Sequence, residues 1–165
     1  MVFRVCGMPP PSSGHIAVMQ ILGLLEHAPS PTALQAGAPS ADFVHHYTEA
    51  ARLAFADRAQ YLADPEFVAP PAGRWASLLD ATYLKQRAAL IGPTSMKTAQ
   101  PGVPAGAASA YAPQATQIEY GTSHISVVDA QGRAVAMTTS IEAVFGARLM
   151  SDGGTNLPGG FVLNN

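Results

Sequence analysis

The chain has 165 residues, a net charge of −2, 48% apolar residues and only 12% charged ones, enough for one domain with a real core. Its nine Lys and Arg are scattered without a basic patch, which argues against nucleic acid as a partner. A single cysteine, Cys6, excludes an internal disulfide, and the five histidines have no metal-ligand spacing. The longest apolar run, Ile16 to Leu25, is broken by Gln20 and Gly23 and is too short to span a membrane.

In chain order, Val2 to Cys6 reads as a short strand, too short and wrongly patterned for a signal peptide. Cys6 at its end reads as a small buried residue. Three prolines, Pro9 to Pro11, then fix an extended turn, and Ser12 or Ser13 can cap a helix from His15 to about His27. That helix is apolar on nearly every side, which predicts burial all round. Pro29 to Pro39 reads as a loop, and Ser40 caps a second helix reaching about Leu62. Phe43, Tyr47, Ala50, Ala54 and Tyr61 recur near helical spacing there, with Arg52, Asp57 and Gln60 on more polar faces. Asp57 and Arg58 are adjacent on the helix and are expected to serve separate contacts. A third helix is expected from about Ser77 to Leu90, with Trp75 as a packing anchor.

From Gly92 to Tyr120 the chain loses periodicity and fills with Pro, Gly, Ala and Ser, too long a stretch for a simple connector. It reads as a flexible, processable link. The period then switches to two. His124 to Asp129 and Ala134 to Ser140, separated by Ala130-Gln131-Gly132, predict a β-hairpin, and Phe161-Val162-Leu163 another strand. Helices first and strands afterwards predict an α+β fold and argue against a purely parallel sheet.

The link ends at Gly121-Thr122-Ser123-His124, a small residue and a hydroxyl residue delivered to a strand start. A threonine hydroxyl is a weak nucleophile, and a freed α-amine on the same residue, with a pKa near neutrality, can serve as its base. Ser123 and His124 do not form a direct dyad, because neighbours on a strand face opposite sides. Asp57, Asp64 and Glu66 lack the alternating oxygen-ligand loop of a calcium site.

Five segments, in order, resemble the γ-glutamyltransferase family of N-terminal-nucleophile hydrolases. They are Met8-Pro9-Pro10-Pro11-Ser12-Ser13-Gly14; Ala56-Asp57-Arg58 with Tyr61 to Val68; Gly121 to Asp129; Thr138 to Glu142 with Phe145-Gly146; and Leu163-Asn164-Asn165. The resemblance covers nearly the whole chain. It implies an αββα sandwich, incomplete at both ends here, and a precursor split into a large and a small subunit that stay associated. Residues 1–121 would belong to the large subunit and 122–165 to the small one.

The same resemblance implies autocleavage between Gly121 and Thr122, with Thr122 then attacking glutathione or a related γ-glutamyl compound. The acyl group would pass to water, an amino acid or a peptide. Ser140 matches the hydroxyl that hydrogen-bonds the nucleophile, and Glu142 the residue that meets the substrate's α-ammonium. No cofactor or metal is implied, and a periplasmic or secreted location is. His15, where many members have glycine, and a longer Ala147 to Gly160 stretch depart from the pattern. The family's carboxylate-binding arginine and oxyanion hole fall outside this chain, so by itself it is expected to be inactive. Two other readings stay open: a glutaryl or cephalosporin acylase of the same fold, and a truncated product without catalytic function.

Overall fold

The computed structural model describes residues 4–28, 34–107, 111–113, 122–141, 143–155 and 159–164. The chain separates into two compact units, residues 1–114 and 115–165. Gly121 and Glu142 lie outside the described residues.

The first unit is helical. Helix α1 (Gly14–His27) packs against α2 (Ala41–Tyr61) and α3 (Ala81–Ala88). Between α1 and α2, β1 (Leu34–Gln35) and β2 (Ala38–Pro39) form a minimal antiparallel pair inside the expected loop. The Ser40 hydroxyl caps α2 by accepting the Phe43 amide at 3.0 Å, as the sequence predicts. Ser13 does not cap α1; its hydroxyl accepts instead from Arg58 Nε at 2.8 Å. No strand forms at 4–6, and Cys6 is exposed, contrary to expectation.

Helix α1 is buried along one stripe rather than all round. Ile16, Ala17, Gln20, Ile21 and Leu24 face inward, whereas Val18 and Leu22 are exposed. Leu24 meets Ala50, Leu53, Ala54, Leu84 and Ala88 in one cluster, and Ile16, Tyr61, Leu78 and Tyr83 form a second. Each fully buried leucine contributes about 2 kcal/mol through its apolar area. Trp75 packs against the second cluster as expected. The single third helix of the sequence reading is two pieces, a 3-10 turn Trp75–Leu79 and then α3. Asp80 divides them, since its carboxylate accepts the Thr82 and Tyr83 amides and so starts a new helix.

Asp57 departs most from expectation. It is fully buried and accepts from Gln20 Nε2 (2.6 Å), the Tyr83 hydroxyl (2.7 Å), Arg87 (2.9 Å) and the Gly102 amide (2.8 Å). Four donors converge on one carboxylate, which offsets the cost of removing it from water. Its neighbour Arg58 turns away to Ser13, so the two serve separate contacts as predicted.

The aperiodic stretch after α3 is anchored where it is described. Glu49 accepts from Ser95 Oγ (3.0 Å) and the Met96 amide (2.7 Å), and Arg52 donates to the Lys97 carbonyl. Arg87 reaches the Gln100 carbonyl and Tyr61 the Gly102 carbonyl. Tyr111 stacks edge-on against Tyr61, with ring centroids 5.1 Å apart, and its carbonyl accepts from Gln60. Residues 108–110 and 114–120 of the expected link lie outside the described residues.

The second unit is built of strands. Strands β3 (Ser123–Val128) and β4 (Ala134–Thr139) pair antiparallel from Ser123 opposite Thr139 to Val128 opposite Ala134. Strands β5 (Met150–Ser151) and β6 (Phe161–Val162) form a second, shorter pair. The structure is therefore mixed helix and strand, in line with the α+β expectation.

Candidate functional site

The turn between β3 and β4 fixes the geometry of the site. Asp129 Oδ1 accepts the Gln131 and Arg133 amides, both at 2.9 Å, and Arg133 Nε pairs with Oδ2. Bonds from the Arg133 amide and guanidinium, joined by the Gln131 amide, hold the Asp129 carboxyl below its usual range. Gly132 completes the turn at φ +79°, a conformation that glycine adopts without strain. The turn sets the register, and the register brings Ser123 and Thr139 opposite each other at the far end of the hairpin.

At that end lies a cleft of about 420 Å³, lined by Thr122, Ser123, Thr139 and Ser140 together with Ile141, Ala143 and Val144. Thr122 and Ser140, distant in sequence, thus reach one cleft because each flanks a paired strand. Glu142 falls between two lining residues in the chain and lies outside the described residues, as does Gly121. Sequence reasoning gives no site role to Thr139, Ile141, Ala143 or Val144. Thr139 was recoverable from the strand pairing, because counting outward from the Gly132 turn sets it opposite Ser123.

Four hydroxyl residues and three apolar ones line the cleft, and none of the described lining residues is an acid or a base at neutral pH. His124 does not line the cleft. Its Nδ1 lies 2.8 Å from Thr138 Oγ1 and its Nε2 3.0 Å from Ser126 Oγ, on the hairpin face opposite Ser123. The exclusion of a Ser123–His124 dyad therefore holds in the geometry.

Other clefts offer less chemistry. One, of about 720 Å³, is lined by Asp42, His45, His46 and the 91–93 segment. Both imidazoles are engaged there, His45 with the Gly92 carbonyl and His46 with Asp42. Two more lie along Gln60, Tyr61 and Tyr111. Burial, and then the Asp57 charge, raise the Tyr61 phenol above its ordinary value, so it remains a neutral donor. Among the described residues no three His, Cys, Asp or Glu side chains are grouped to hold a metal ion. No described helix is long and apolar enough to cross a membrane.

The γ-glutamyltranspeptidase family model matches residues 1–165. A glutathione hydrolase proenzyme of Pseudomonas sp. (strain A14) is 37% identical over 154 residues, which cover 92% of this chain and 24% of that protein. An acylase ACY 1 proenzyme of Pseudomonas sp. (strain V22) is 33% identical over 162 residues, 98% of this chain and 26% of the relative. The crystal structure of Helicobacter pylori γ-glutamyltranspeptidase is similar at a TM-score of 0.50 and 35% identity, covering 61% of this chain and 28% of the other. The chain thus spans about a quarter of the length of the curated relatives it matches.

Proposed function

The chain belongs to the γ-glutamyltranspeptidase family, and from that premise we propose that it carries the nucleophile segment of a self-processing γ-glutamyltransferase and glutathione hydrolase. The observation that carries the proposal is the shared cleft of Thr122 and Ser140 at the open end of the β3–β4 hairpin. A nucleophile with no acid or base among its described neighbours needs one of its own. An α-amine on Thr122 is covalently tied within reach of Oγ1 and titrates near neutrality.

Activation begins when Thr122 Oγ1 attacks the Gly121 carbonyl carbon. The Gly121–Thr122 amide breaks as its nitrogen takes up a proton, leaving an ester that water hydrolyses. The Gly121 carboxylate and a free Thr122 amine result. In turnover that amine accepts the Oγ1 proton while Oγ1 attacks the γ-carbonyl of a γ-glutamyl amide. The proton passes to the departing amine, and a γ-glutamyl ester remains on Thr122. Water or the amine of an amino acid or peptide then attacks the ester and regenerates Thr122. Two half-reactions on one nucleophile give ping-pong kinetics.

Ser140 would donate a hydrogen bond to Thr122 Oγ1, and Glu142 would face the α-ammonium of the glutamyl group through a charge-assisted bond. Residues 1–121 and 122–165 would lie in the two associated products of processing, parts of one αββα sandwich outside the cytoplasm. The mixed helix and strand content and the likeness to a solved family member support the sandwich part of this reading.

The acylase relative favours a second reading, an acylase of the same fold, for which a glutaryl or cephalosporin acyl group is the alternative donor. The two donors differ at the carbon that bears the ammonium. Chromophore release from γ-glutamyl and glutaryl anilides separates them. The γ-glutamyl reading requires the first to be preferred, and E142Q to raise its KM roughly tenfold by removing a bond to a charged group. Preference for the glutaryl donor, with E142Q neutral, would favour the acylase.

A further inference from the structure

Part of the apolar lining of the cleft is carried by a turn whose position depends on a residue that does not itself line the cleft. Past Ser140 the chain folds back, with the Gly146 amide bonding to the Ala143 carbonyl at 2.8 Å and the Arg148 amide to the Phe145 carbonyl at 2.9 Å. Immediately beside this turn the Ala147 amide donates to the Leu163 carbonyl and the Leu163 amide to the Leu149 carbonyl, each at 2.9 Å. The end of β6 is thereby clasped to the turn that presents Ala143 and Val144.

Gly146 sits at the contact. Its φ is +48°, and a Cβ built there would lie 2.0 Å from the Leu163 carbonyl oxygen and 3.2 Å from that of Ile141. Both obstacles are backbone, so no rotamer change relieves the clash, and the turn must move away from β6. Gly146 is also the one buried residue among those described in the second unit, whereas Val144 is 65% exposed. The turn is therefore located by this close backbone approach and by hydrogen bonds, not by an apolar core.

We propose that Gly146 is a positioning residue for the Thr122 cleft: lacking a Cβ, it lets the 143–146 turn close on the Leu163 carbonyl, and that closure holds Ala143 and Val144 in place as part of the cleft wall. A γ-glutamyl donor seated against Thr122 in this cleft is bounded in part by this wall. The inference rests on Thr122 being the nucleophile. Displacement of the wall by the clash loosens the seated donor while the chemistry of Thr122 itself is untouched.

The test compares the processed wild-type enzyme with G146A, V144A and T122A on a γ-glutamyl anilide, with active sites counted by the initial burst of chromophore. For G146A the donor KM rises roughly tenfold or more per titrated site, as expected for a misplaced substrate. V144A, which only shortens an exposed side chain, raises KM in the same direction by a smaller factor. A purely structural role for Gly146 would lower the number of titratable sites and leave KM per site unchanged, and that result overturns the proposal. If G146A does not accumulate, V144A decides: a raised KM supports the wall, and an unchanged one overturns it. Turnover by T122A would instead refute the nucleophile assignment, a failure separable from that of the clasp.

Discussion

Asp57 and Glu49 show how single carboxylates organise the helical unit. Asp57 is fully buried opposite Arg87, and Tyr83 adds a donor whose phenol burial and the Asp57 charge push far above its usual range. Replacing Asp57 with Ala strands the Arg87 charge in the interior and is predicted to cost about 3–5 kcal/mol in chemical denaturation. Glu49 behaves differently with pH. Burial opposes its ionisation, but the Met96 amide, the Ser95 hydroxyl and Arg52 outweigh that and hold it below the ordinary carboxylate value. Its folded value lies below its unfolded one, so its contribution is full above the ordinary range and is lost as pH falls through that range toward the folded value. Thermal melts from neutral to acid pH should therefore fall less steeply for E49Q than for wild type. At neutral pH the variant should be about 2 kcal/mol less stable, the worth of a bond to a charged group. Equal acid slopes would contradict this account. The burial of Asp57 was legible in spacing if not in polarity, since it lies on one stripe with Ala50, Leu53, Ala54 and Tyr61. Its partners were not legible: Gln20, Tyr83, Arg87 and Gly102 come from separate segments that only packing brings together.

At the scale of elements, the hairpin is where local sequence determines most. Period-two alternation and Gly132 predict both strands within a residue or so of their ends, and the register then follows from the turn. That register places Thr122 and Ser140 at one end of the hairpin, a pairing the sequence reading draws only from the family resemblance. Gly132→Ala meets no neighbouring atom, so its cost is conformational alone, about 1 kcal/mol, and a larger loss in thermal denaturation would contradict the turn geometry. Ser140→Ala should lower kcat about tenfold, as loss of one hydrogen bond in the transition state would, and leave donor KM near the wild-type value. A raised KM with unchanged kcat would place Ser140 in substrate binding instead. Where side-chain chemistry overrides periodicity, sequence reasoning failed: Asp80 cut the expected third helix by capping a new one.

At the scale of the whole chain, the two units differ in how they are held. Both apolar clusters belong to the first unit. In the second, Ile125, Val127, Val135 and Met137 share one face of the hairpin and are all exposed. A two-stranded hairpin with an uncovered apolar face is marginal in water. The 165-residue chain produced by itself is accordingly predicted to self-associate, seen by light scattering, and I125T/M137T should reduce that association. Helical packing was readable from apolar spacing, whereas what covers the hairpin face was not, since the pattern marks a face without marking its partner. The central claim remains the chemistry at Thr122. Its most direct test is intact-mass spectrometry of the purified protein after prolonged incubation, beside T122A. The account predicts that the wild type divides into two chains, the second beginning at Thr122, while T122A stays whole. A single undivided mass for both, or a cut elsewhere, would contradict it.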